Sequence, residues 1–342
     1  MAAVESVVRR AVTTTRLVVS PDDFRALCVL MGDASPLEVL HALVEPVRSA
    51  AQPPISQFRV GAAAWGASGC VYLGVNLEFP GTQLQSAVHA EQCATVLARR
   101  AGEPAVTAIA TSATPCGHCR QWLQELPGAA EVRVITTGVR GLDTMPGAPL
   151  GDLLPYAFGP QDLFPGGIPL LLGPRHNGLQ FAACAQSQVV AWRRAQRTPA
   201  AALMHEAAHA ALAAANGAHA PYSCCPSGVA LVTHSAGDDG IGPATIHAGG
   251  SAESAAFNPS VSPLQAALVA ALADGALSLG QSWGQALKHC VLVQPYRGAV
   301  SHVDTVAGVL RAIAPGCEMT LLYIEDCRTP TAESAGGIQC TV

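Results

Sequence analysis

Two short motifs supply residue types that bind zinc. The first is HAE at residues 89–91, and the second is PCGHC at residues 115–119. Imidazole and thiolate suit zinc, and three protein ligands leave one position of a tetrahedral ion open for water, as in catalytic sites. Zinc lowers the pKa of such a water to about 7, and Glu91 stands next to the first motif's histidine as a catalytic acid–base group. The predicted zinc ligands are His89, Cys116 and Cys119.

The two motifs are more specific together than apart. A lone CxxC is also typical of redox pairs and structural zinc knots, and a lone HxE arises by chance. Both motifs are predicted to begin helices, where partial positive charge stabilises the thiolate form of cysteine. HxE followed by PCxxC is the signature of zinc-dependent deaminases, so together they predict a catalytic zinc site. His118, between the two cysteines, is predicted to be a loop residue rather than a ligand.

A second metal-binding pattern is the alternative. The sequence HEAAH at residues 205–209 matches the HExxH pattern of metalloproteases. It falls in an alanine-rich predicted helix, and no third-ligand motif follows it. We therefore predict that His205 and His209 are surface residues of a helix, and that a zinc protease is the less favoured interpretation.

The elements that must position these motifs alternate between strand and helix. Ser20 and Pro21 are predicted to cap and begin a helix. Strands are predicted near residues 58–65, 71–75, 107–112 and 132–137, and helices near residues 36–48, 88–100 and 116–126. This alternation predicts a layered α/β domain.

The second half of the chain repeats the first. Pro54 precedes Gly61 by the same seven residues that separate Pro221 from Gly228. A Gly/Pro-rich stretch at residues 138–178 lies between the halves and is expected to contain little regular structure.

The repeat lacks the metal motifs. Alignment of the helix that follows in each half sets Pro263 against His89 and Gln265 against Glu91. No cysteine lies between residues 290 and 317, where a second CxxC is expected. A duplicated fold in which one unit has lost its metal explains both observations.

These observations predict an α/β fold class: a three-layer α/β/α deaminase-like fold, duplicated in one chain. The expected domains are an N-terminal helical extension (1–35), a catalytic zinc-binding domain (36–140), a Gly/Pro-rich connector (141–195) and a second deaminase-like domain without metal ligands (196–342).

The composition argues against a polymer or membrane partner. The chain of 342 residues carries a net charge of −5 and no long lysine or arginine run. Proteins that grip nucleic acid usually show a basic stripe. The most apolar stretch, near residues 264–279, is interrupted by Asp274 and Gly275. We therefore expect a small-molecule substrate, no nucleic-acid partner and no membrane partner.

Cysteine usage and the first residues bear on the compartment. Twelve irregularly spaced cysteines, without a secretory signal peptide, indicate reduced thiols in a cytoplasmic protein. The first twenty residues carry Arg9, Arg10 and Arg16 with one acid, Glu5. An organelle transit peptide stays open as an alternative to a helical or disordered extension.

Several segments resemble cytidine deaminase, and more narrowly its long, two-unit, homodimeric branch. The segments are FRVGA (58–62), GVNLEF (74–79), HAEQ (89–92), PCGHCRQ (115–121), LLPYAFGPQDL (153–163) and ESAAFNP (253–259). The resemblance implies hydrolytic deamination of cytidine and deoxycytidine to uridine and deoxyuridine by zinc-activated hydroxide, a step of pyrimidine salvage. A deaminase of a cytosine nucleotide or polynucleotide, and a zinc-stabilised binding protein, are the alternatives.

The resemblance also implies substrate contacts. Phe58 would stack on the base, and Asn76 and Glu78 would hold the ribose hydroxyls, roles that suit an aromatic face, an amide and a carboxylate. Backbone groups near Ala90 and Cys116 would orient the base. Phe257 of one chain would close over the pyrimidine bound near Phe58 of the other. The competing interpretations are that Phe58 and Phe257 belong to the core and that Asn76 and Glu78 form a polar strand end.

Overall fold

The computed structural model describes residues 2–14, 17–136, 147–167, 170–234, 243–276 and 282–326. The chain divides into two compact units. Unit 1 comprises the described residues of Met1–Pro174, Ser254–Ser260 and Leu272–Gly275, and unit 2 comprises those of Arg175–Glu253, Val261–Ala271 and Ala276–Val342. Within the described residues, no helix is both long enough and apolar enough to cross a bilayer.

Unit 1 is built on a six-stranded mixed sheet. Its elements are α1 (Ala2–Thr14), β1 (Val18–Val19), α2 (Pro21–Leu30), α3 (Pro36–Arg48), β2 (Gly61–Gly66), β3 (Val71–Val75), α4 (Ala90–Arg100), β4 (Val106–Thr111), α5 (Gly117–Trp122), β5 (Arg133–Thr136), β6 (Ala148–Pro149), α6 (Leu150–Leu153) and α7 (Pro160–Leu163). The strand order is β1-β3-β2-β4-β5-β6. Only the β4–β5 pair is parallel; the other pairs are antiparallel.

Helices cover both faces of this sheet. Gly61 of β2 pairs directly with Val75 of β3, so the two residues face the same side, and Gly74 faces the other. A Cβ on Gly61 would meet the backbone of Val44 in α3, whereas a Cβ on Gly74 would meet the backbone of Ala90 in α4. The two helices therefore lie on opposite faces, which gives three layers, and glycine permits their close approach.

Unit 2 repeats this arrangement. Its elements are β7 (Leu179–Phe181), α8 (Ala183–Arg194), α9 (Pro199–Asn216), β8 (Gly228–His234), β9 (Ala244–Gly250), α10 (Pro263–Ala273), α11 (Trp283–Ala286), β10 (Leu287–Pro295), α12 (Val303–Ile313) and β11 (Glu318–Asp326). The strand order is β7-β11-β10-β8-β9, and again one pair, β10–β11, is parallel. Gly228 faces α9 and Gly249 faces α10 on the opposite side. The duplicated three-layer α/β fold is therefore confirmed.

Local capping explains the helix starts that the sequence predicted. The Ser20 side chain accepts a hydrogen bond from the Asp23 N–H, and Pro21 is the first residue of α2. Ser35 and Glu38 form a reciprocal capping box at the start of α3, which ends at Arg48 as predicted.

Three element boundaries differ from the prediction. The strand predicted from residue 58 begins at Gly61. The side chain of Asn76 accepts the Val60 N–H and donates to the Phe58 carbonyl, so these backbone groups bond to a side chain rather than to a neighbouring strand. The helix predicted from residue 88 begins at Ala90, because the backbone of Val88 pairs with Leu77. The helix predicted over residues 116–126 is α5 followed by a 3₁₀ turn at Leu123–Glu125.

The Gly/Pro-rich stretch contains more regular structure than expected. Its described part includes β6, α6 and α7, and Pro160 begins α7 because proline is tolerated in a helix's first turn. The predicted connector (141–195) also includes β7 and α8, and the division between the units falls after Pro174. Residues 137–146 and 168–169 lie outside the described residues.

The predicted alignment of the two halves was wrong by one residue. α4 and α10 both span eleven residues, and they begin after His89 and Ser262. The residue three positions on is glutamine in each case, and its side chain accepts the N–H of the residue that precedes the helix. Ser262 therefore matches His89, and Leu264 matches Glu91. Neither is a zinc ligand, so the ligand types are still missing from these two positions.

Candidate metal and substrate site

Seven of the predicted site residues line one cavity of about 280 Å³, and Cys119 and Phe257 do not. This volume is just below the range of about 300–1,000 Å³ that is typical of small-molecule sites. The lining residues are Ser56, Phe58, Val60, Asn76, Glu78, Ala87, Val88, His89, Ala90, Glu91, Ala113, Thr114 and Cys116. The loop after β3, the loop after β4 and the start of α4 therefore all contribute side chains to this cavity.

His89, Cys116 and Cys119 form a group that could hold a metal ion. The Nδ1 of His89 lies 3.5 Å from the Sγ of Cys116 and 3.2 Å from the Sγ of Cys119, and the two sulfurs are 3.8 Å apart. Tetrahedral zinc with bonds of about 2.3 Å to sulfur and about 2.0–2.1 Å to nitrogen places sulfurs about 3.8 Å apart and sulfur and nitrogen about 3.5 Å apart. The donor set and its spacing therefore fit zinc.

The fold presents these ligands at the starts of two helices. His89 immediately precedes α4, and its backbone is extended rather than helical. Cys116 precedes α5, and Cys119 is buried in its first turn. The Arg120 guanidinium donates to the carbonyls of Pro115 and Leu153, both at 2.8 Å, and so holds the cysteine loop against the segment after β6.

The clustered ligand groups shift one another's pKa values. A hydrogen bond from Cys119 and the nearby imidazole of His89 stabilise the Cys116 thiolate and lower its pKa to about 3. The pKa of Cys119 is raised, because that thiol donates to Cys116 and is buried. The hydrogen bond with Cys116 raises the pKa of His89. The lowered pKa of Cys116 favours the thiolate, which is the form of cysteine that binds a metal.

Glu91 lies in the first turn of α4 and is only 4% exposed. Burial raises the pKa of its carboxyl group, so Glu91 holds a proton more readily than an exposed glutamate. Its backbone carbonyl accepts from the Thr95 hydroxyl, which accepts in turn from the Trp122 indole N–H at 2.8 Å. This buried chain of hydrogen bonds joins α4 to α5.

Phe58 and Asn76 are placed together. Phe58 is 59% exposed and lines the cavity, so the interpretation that it belongs to the core is wrong. The Asn76 amide donates to the Phe58 carbonyl at 3.0 Å and accepts the Val60 N–H at 2.8 Å. Asn76 therefore shapes the loop that presents Phe58, in addition to facing the cavity itself.

Glu78 organises the preceding turn in the same way. Its carboxylate accepts the N–H groups of Ile55 and Ser56, at 2.9 and 2.8 Å, and the Ser56 hydroxyl at 2.6 Å. Burial opposes ionisation, but these hydrogen bonds outweigh it and lower the pKa of Glu78. An ionised carboxylate has acceptor sites left for a ligand hydroxyl.

Unit 2 preserves this glutamate. Glu253 accepts the N–H groups of Tyr222 and Ser223, and the Ser223 hydroxyl. These are the same three contacts that Glu78 makes, in a unit where the described residues contain no group of metal ligands. The contacts therefore belong to the fold of the repeated unit, and Glu78 also lines the cavity beside His89.

Phe257 is exposed rather than part of a core. Its side chain is 67% exposed, and its backbone lies in the left-handed region with φ of 62°. It lies on the segment Ser254–Ser260, which belongs to unit 1, but it does not line the cavity of its own chain. The core interpretation of Phe257 is wrong.

Some lining residues were not predicted from the sequence. Ser56 and Thr114 line the cavity, and the position of Ser56, two residues after the repeated Pro54, was the one available signal. His118, predicted to lie in a loop, lies in α5, and its ring stacks on His89 with centroids 4.8 Å apart. Burial and the charge of His89 lower the pKa of His118, which favours its neutral form.

The HEAAH segment lies within α9, and no group of three metal ligands includes it among the described residues. His205 and His209 lie one turn apart on α9 with ring centroids 4.5 Å apart, and Glu206 is exposed. Within the part of the chain that the structure describes, no third ligand joins them, and the one such group is the cluster at His89.

Comparisons with known proteins extend across most of the chain. Residues 35–136 and residues 150–307 match two family models that are both described as the cytidine and deoxycytidylate deaminase zinc-binding region. Cytidine deaminase 1 of Arabidopsis thaliana is 37% identical over 296 residues, which cover 84% of this chain and 91% of that protein. The cytidine deaminase of Serratia proteamaculans is 39% identical over 291 residues, which cover 85% and 83%. A solved cytidine deaminase of Mycobacterium tuberculosis is 33% identical over 36% of this chain and 96% of its own, with a TM-score of 0.30.

Proposed function

This chain belongs to the cytidine deaminase family, and on that premise we propose that it deaminates cytidine and deoxycytidine to uridine and deoxyuridine. The observation that carries the proposal is a single cavity that joins a zinc-fitting His/Cys/Cys cluster, a buried glutamate and an exposed aromatic ring. We propose His89, Cys116 and Cys119 as the zinc ligands and Glu91 as the catalytic residue.

Zinc, when bound, supplies a nucleophilic water at neutral pH. Glu91 accepts a proton from the attacking water and delivers it to N3 of the ring while the oxygen bonds to C4. A further proton transfer to the amino group lets the C4–N bond break, and ammonia leaves. The raised pKa of Glu91 suits a group that must both take and return a proton.

Substrate orientation falls to the loops around the cavity. The face of Phe58 suits the pyrimidine ring, and backbone groups near Ala90 and Cys116 suit its polar edge. We propose that Asn76 and Glu78 also hydrogen-bond the sugar hydroxyls, through the amide and carboxylate sites that their loop contacts do not use.

The direct test is an ultraviolet assay of cytidine loss, with metal analysis of the same sample. We expect one zinc per chain and turnover of cytidine and deoxycytidine. Deoxycytidine monophosphate and single-stranded DNA are the comparison substrates, and turnover of either above that of the nucleosides would contradict a nucleoside deaminase. Zinc-replete protein without turnover would indicate a structural metal site.

The sugar contacts predict a difference between two matched variants. Glu78→Ala and Glu253→Ala each remove a carboxylate that accepts from two backbone N–H groups and a serine hydroxyl. We expect Glu78→Ala to lower kcat/KM for cytidine about 10–100-fold, because sugar anchoring positions C4, and Glu253→Ala to leave it unchanged. Equal losses in both variants, or free cytosine as good a substrate as cytidine for the intact enzyme, would contradict sugar anchoring.

We also propose a homodimer with sites shared between the chains. An exposed aromatic ring in a left-handed backbone conformation, outside its own cavity, is suited to contact another chain. We expect sedimentation at about twice the chain mass of 34.9 kDa. Phe257→Ala should raise KM for cytidine without releasing zinc, since an apolar lid excludes water from the reacting groups. A fully active monomer would rule out the shared site.

Two further features are part of the proposal. The net charge of −5 without a basic run supports a nucleoside substrate rather than a nucleic acid. A cytoplasmic location stays a prediction, and imaging of tagged protein with and without residues 1–20 tests it against organelle import.

A further inference from the structure

The segment that carries Phe257 is a closed loop. The Ser254 N–H donates to the Ser260 hydroxyl at 3.0 Å, the Phe257 N–H donates to the Ser254 carbonyl at 2.8 Å, and the Ser260 N–H donates to the Phe257 carbonyl at 2.9 Å. Phe257 adopts a positive φ that bulky residues rarely adopt. The loop therefore holds the Phe257 side chain outward in a strained backbone conformation. Contacts with the surrounding structure must stabilise this conformation.

Two buried side chains of unit 1 hold this loop. The Gln92 side-chain amide donates to the Pro259 carbonyl at 2.9 Å, and the Glu125 carboxylate accepts the Ala255 N–H at 2.7 Å. Gln92 is 1% exposed and Glu125 is fully buried. Both ends of the loop are thus tied to the interior of the unit that contains the cavity.

Gln92 also contacts the residue that begins α4. Its side-chain carbonyl accepts the His89 N–H at 3.1 Å, while its amide nitrogen serves Pro259. We infer that Gln92 is a positioning residue that ties the Phe257 loop to the helix turn carrying His89 and Glu91. The inference rests on the proposed function, in which Phe257 closes the site of a second chain. In a twofold dimer, each chain's loop would then be held in register with that chain's own metal-binding turn.

Unit 2 contains a matched control. Gln265 lies three residues after Ser262, as Gln92 does after His89, and its side chain accepts the Ser262 N–H at 2.8 Å. Both glutamines cap a helix, and Gln92 in addition donates to the Pro259 carbonyl.

The test compares Gln92→Met with Gln265→Met, alone and with Phe257→Ala. Both substitutions remove a helix cap, but only Gln92→Met also removes the hydrogen-bond donor to the Pro259 carbonyl. We expect Gln92→Met to keep zinc, to raise KM for cytidine about fivefold with a smaller change in kcat, and to speed hydrogen exchange at the amides of Phe257 and Ser260. Gln265→Met should change neither KM nor exchange in that loop.

The double variant Gln92→Met/Phe257→Ala tests whether Gln92 affects KM through the Phe257 loop. If Gln92 acts through the loop, Gln92→Met should add little to the KM of Phe257→Ala, because coupled residues are non-additive. Independent, multiplying effects would overturn the inference, as would unchanged loop exchange in Gln92→Met. If Gln92→Met does not fold, Gln92→Glu keeps the acceptor for the His89 N–H, lacks the donor to Pro259 and should show the same loop exchange. A loosened loop with no effect of Phe257→Ala on KM would support the link and overturn the shared site.

Discussion

The Glu91→Gln variant is expected to fold and bind zinc while losing nearly all deamination. Glutamine has the shape of glutamate but cannot accept a proton, and general acid–base catalysis alone contributes about 10²–10⁴-fold. The loss should reach or exceed that range, because the same carboxylate also helps to generate the nucleophile. The measurement is kcat for cytidine, with zinc content on the same preparation.

A second buried glutamate of unit 1 provides the control. Glu103 is as buried as Glu91 but lies outside the cavity, where it accepts from the Ser68 N–H and hydroxyl and from the Tyr72 hydroxyl. We expect Glu103→Gln to lower thermal stability and to leave kcat unchanged. Near wild-type kcat in Glu91→Gln would contradict the proton-transfer role.

The second large effect concerns the metal. Cys116→Ala and Cys119→Ala should each lose zinc and activity together, because two remaining ligands do not make a stable tetrahedral site. Metal analysis should fall from one zinc per chain to a small fraction of that value, and turnover should fall in proportion. The measurement is made on dialysed protein so that loosely bound metal does not contribute.

The HEAAH segment supplies the control for this loss. His205→Ala and His209→Ala remove two imidazoles from α9, where no third ligand joins them among the described residues. We expect both variants to keep stoichiometric zinc and full turnover. Loss of zinc from these variants, or its retention in the cysteine variants, would move the metal site away from His89.

The HxE and CxxC motifs show why part of the site could be predicted. Zinc ligands are determined by residue type, and the short spacings HxE and CxxC place them at the starts of two helices. The cap at Ser20 was equally visible, since its side chain accepts the backbone N–H three residues further on. Contacts over a few residues can be predicted from the order of the side chains alone.

The loops were harder to predict. Nothing in the sequence pattern shows that Asn76 bonds the backbone at Phe58 and Val60, or that Glu78 organises the turn at Ser56. Those bonds end the strand at Gly61 and leave Phe58 exposed, where the alternation of residues had suggested a longer strand. A side chain that competes for backbone groups overrides strand propensity.

By itself, the sequence predicted the proposed ligands and acid–base residue, and it determined the helix starts at Pro21 and Pro36 and the presence of two related units, because each depends on residue type at short range. Only the tertiary structure decided the register of α10 against α4, the exposure of Phe257 and the partner of Gln92. The Gln92–Pro259 hydrogen bond joins residues 167 positions apart. Such a contact arises only when packing brings distant segments together, so the folded chain, rather than its local order, determines how the Phe257 loop is held.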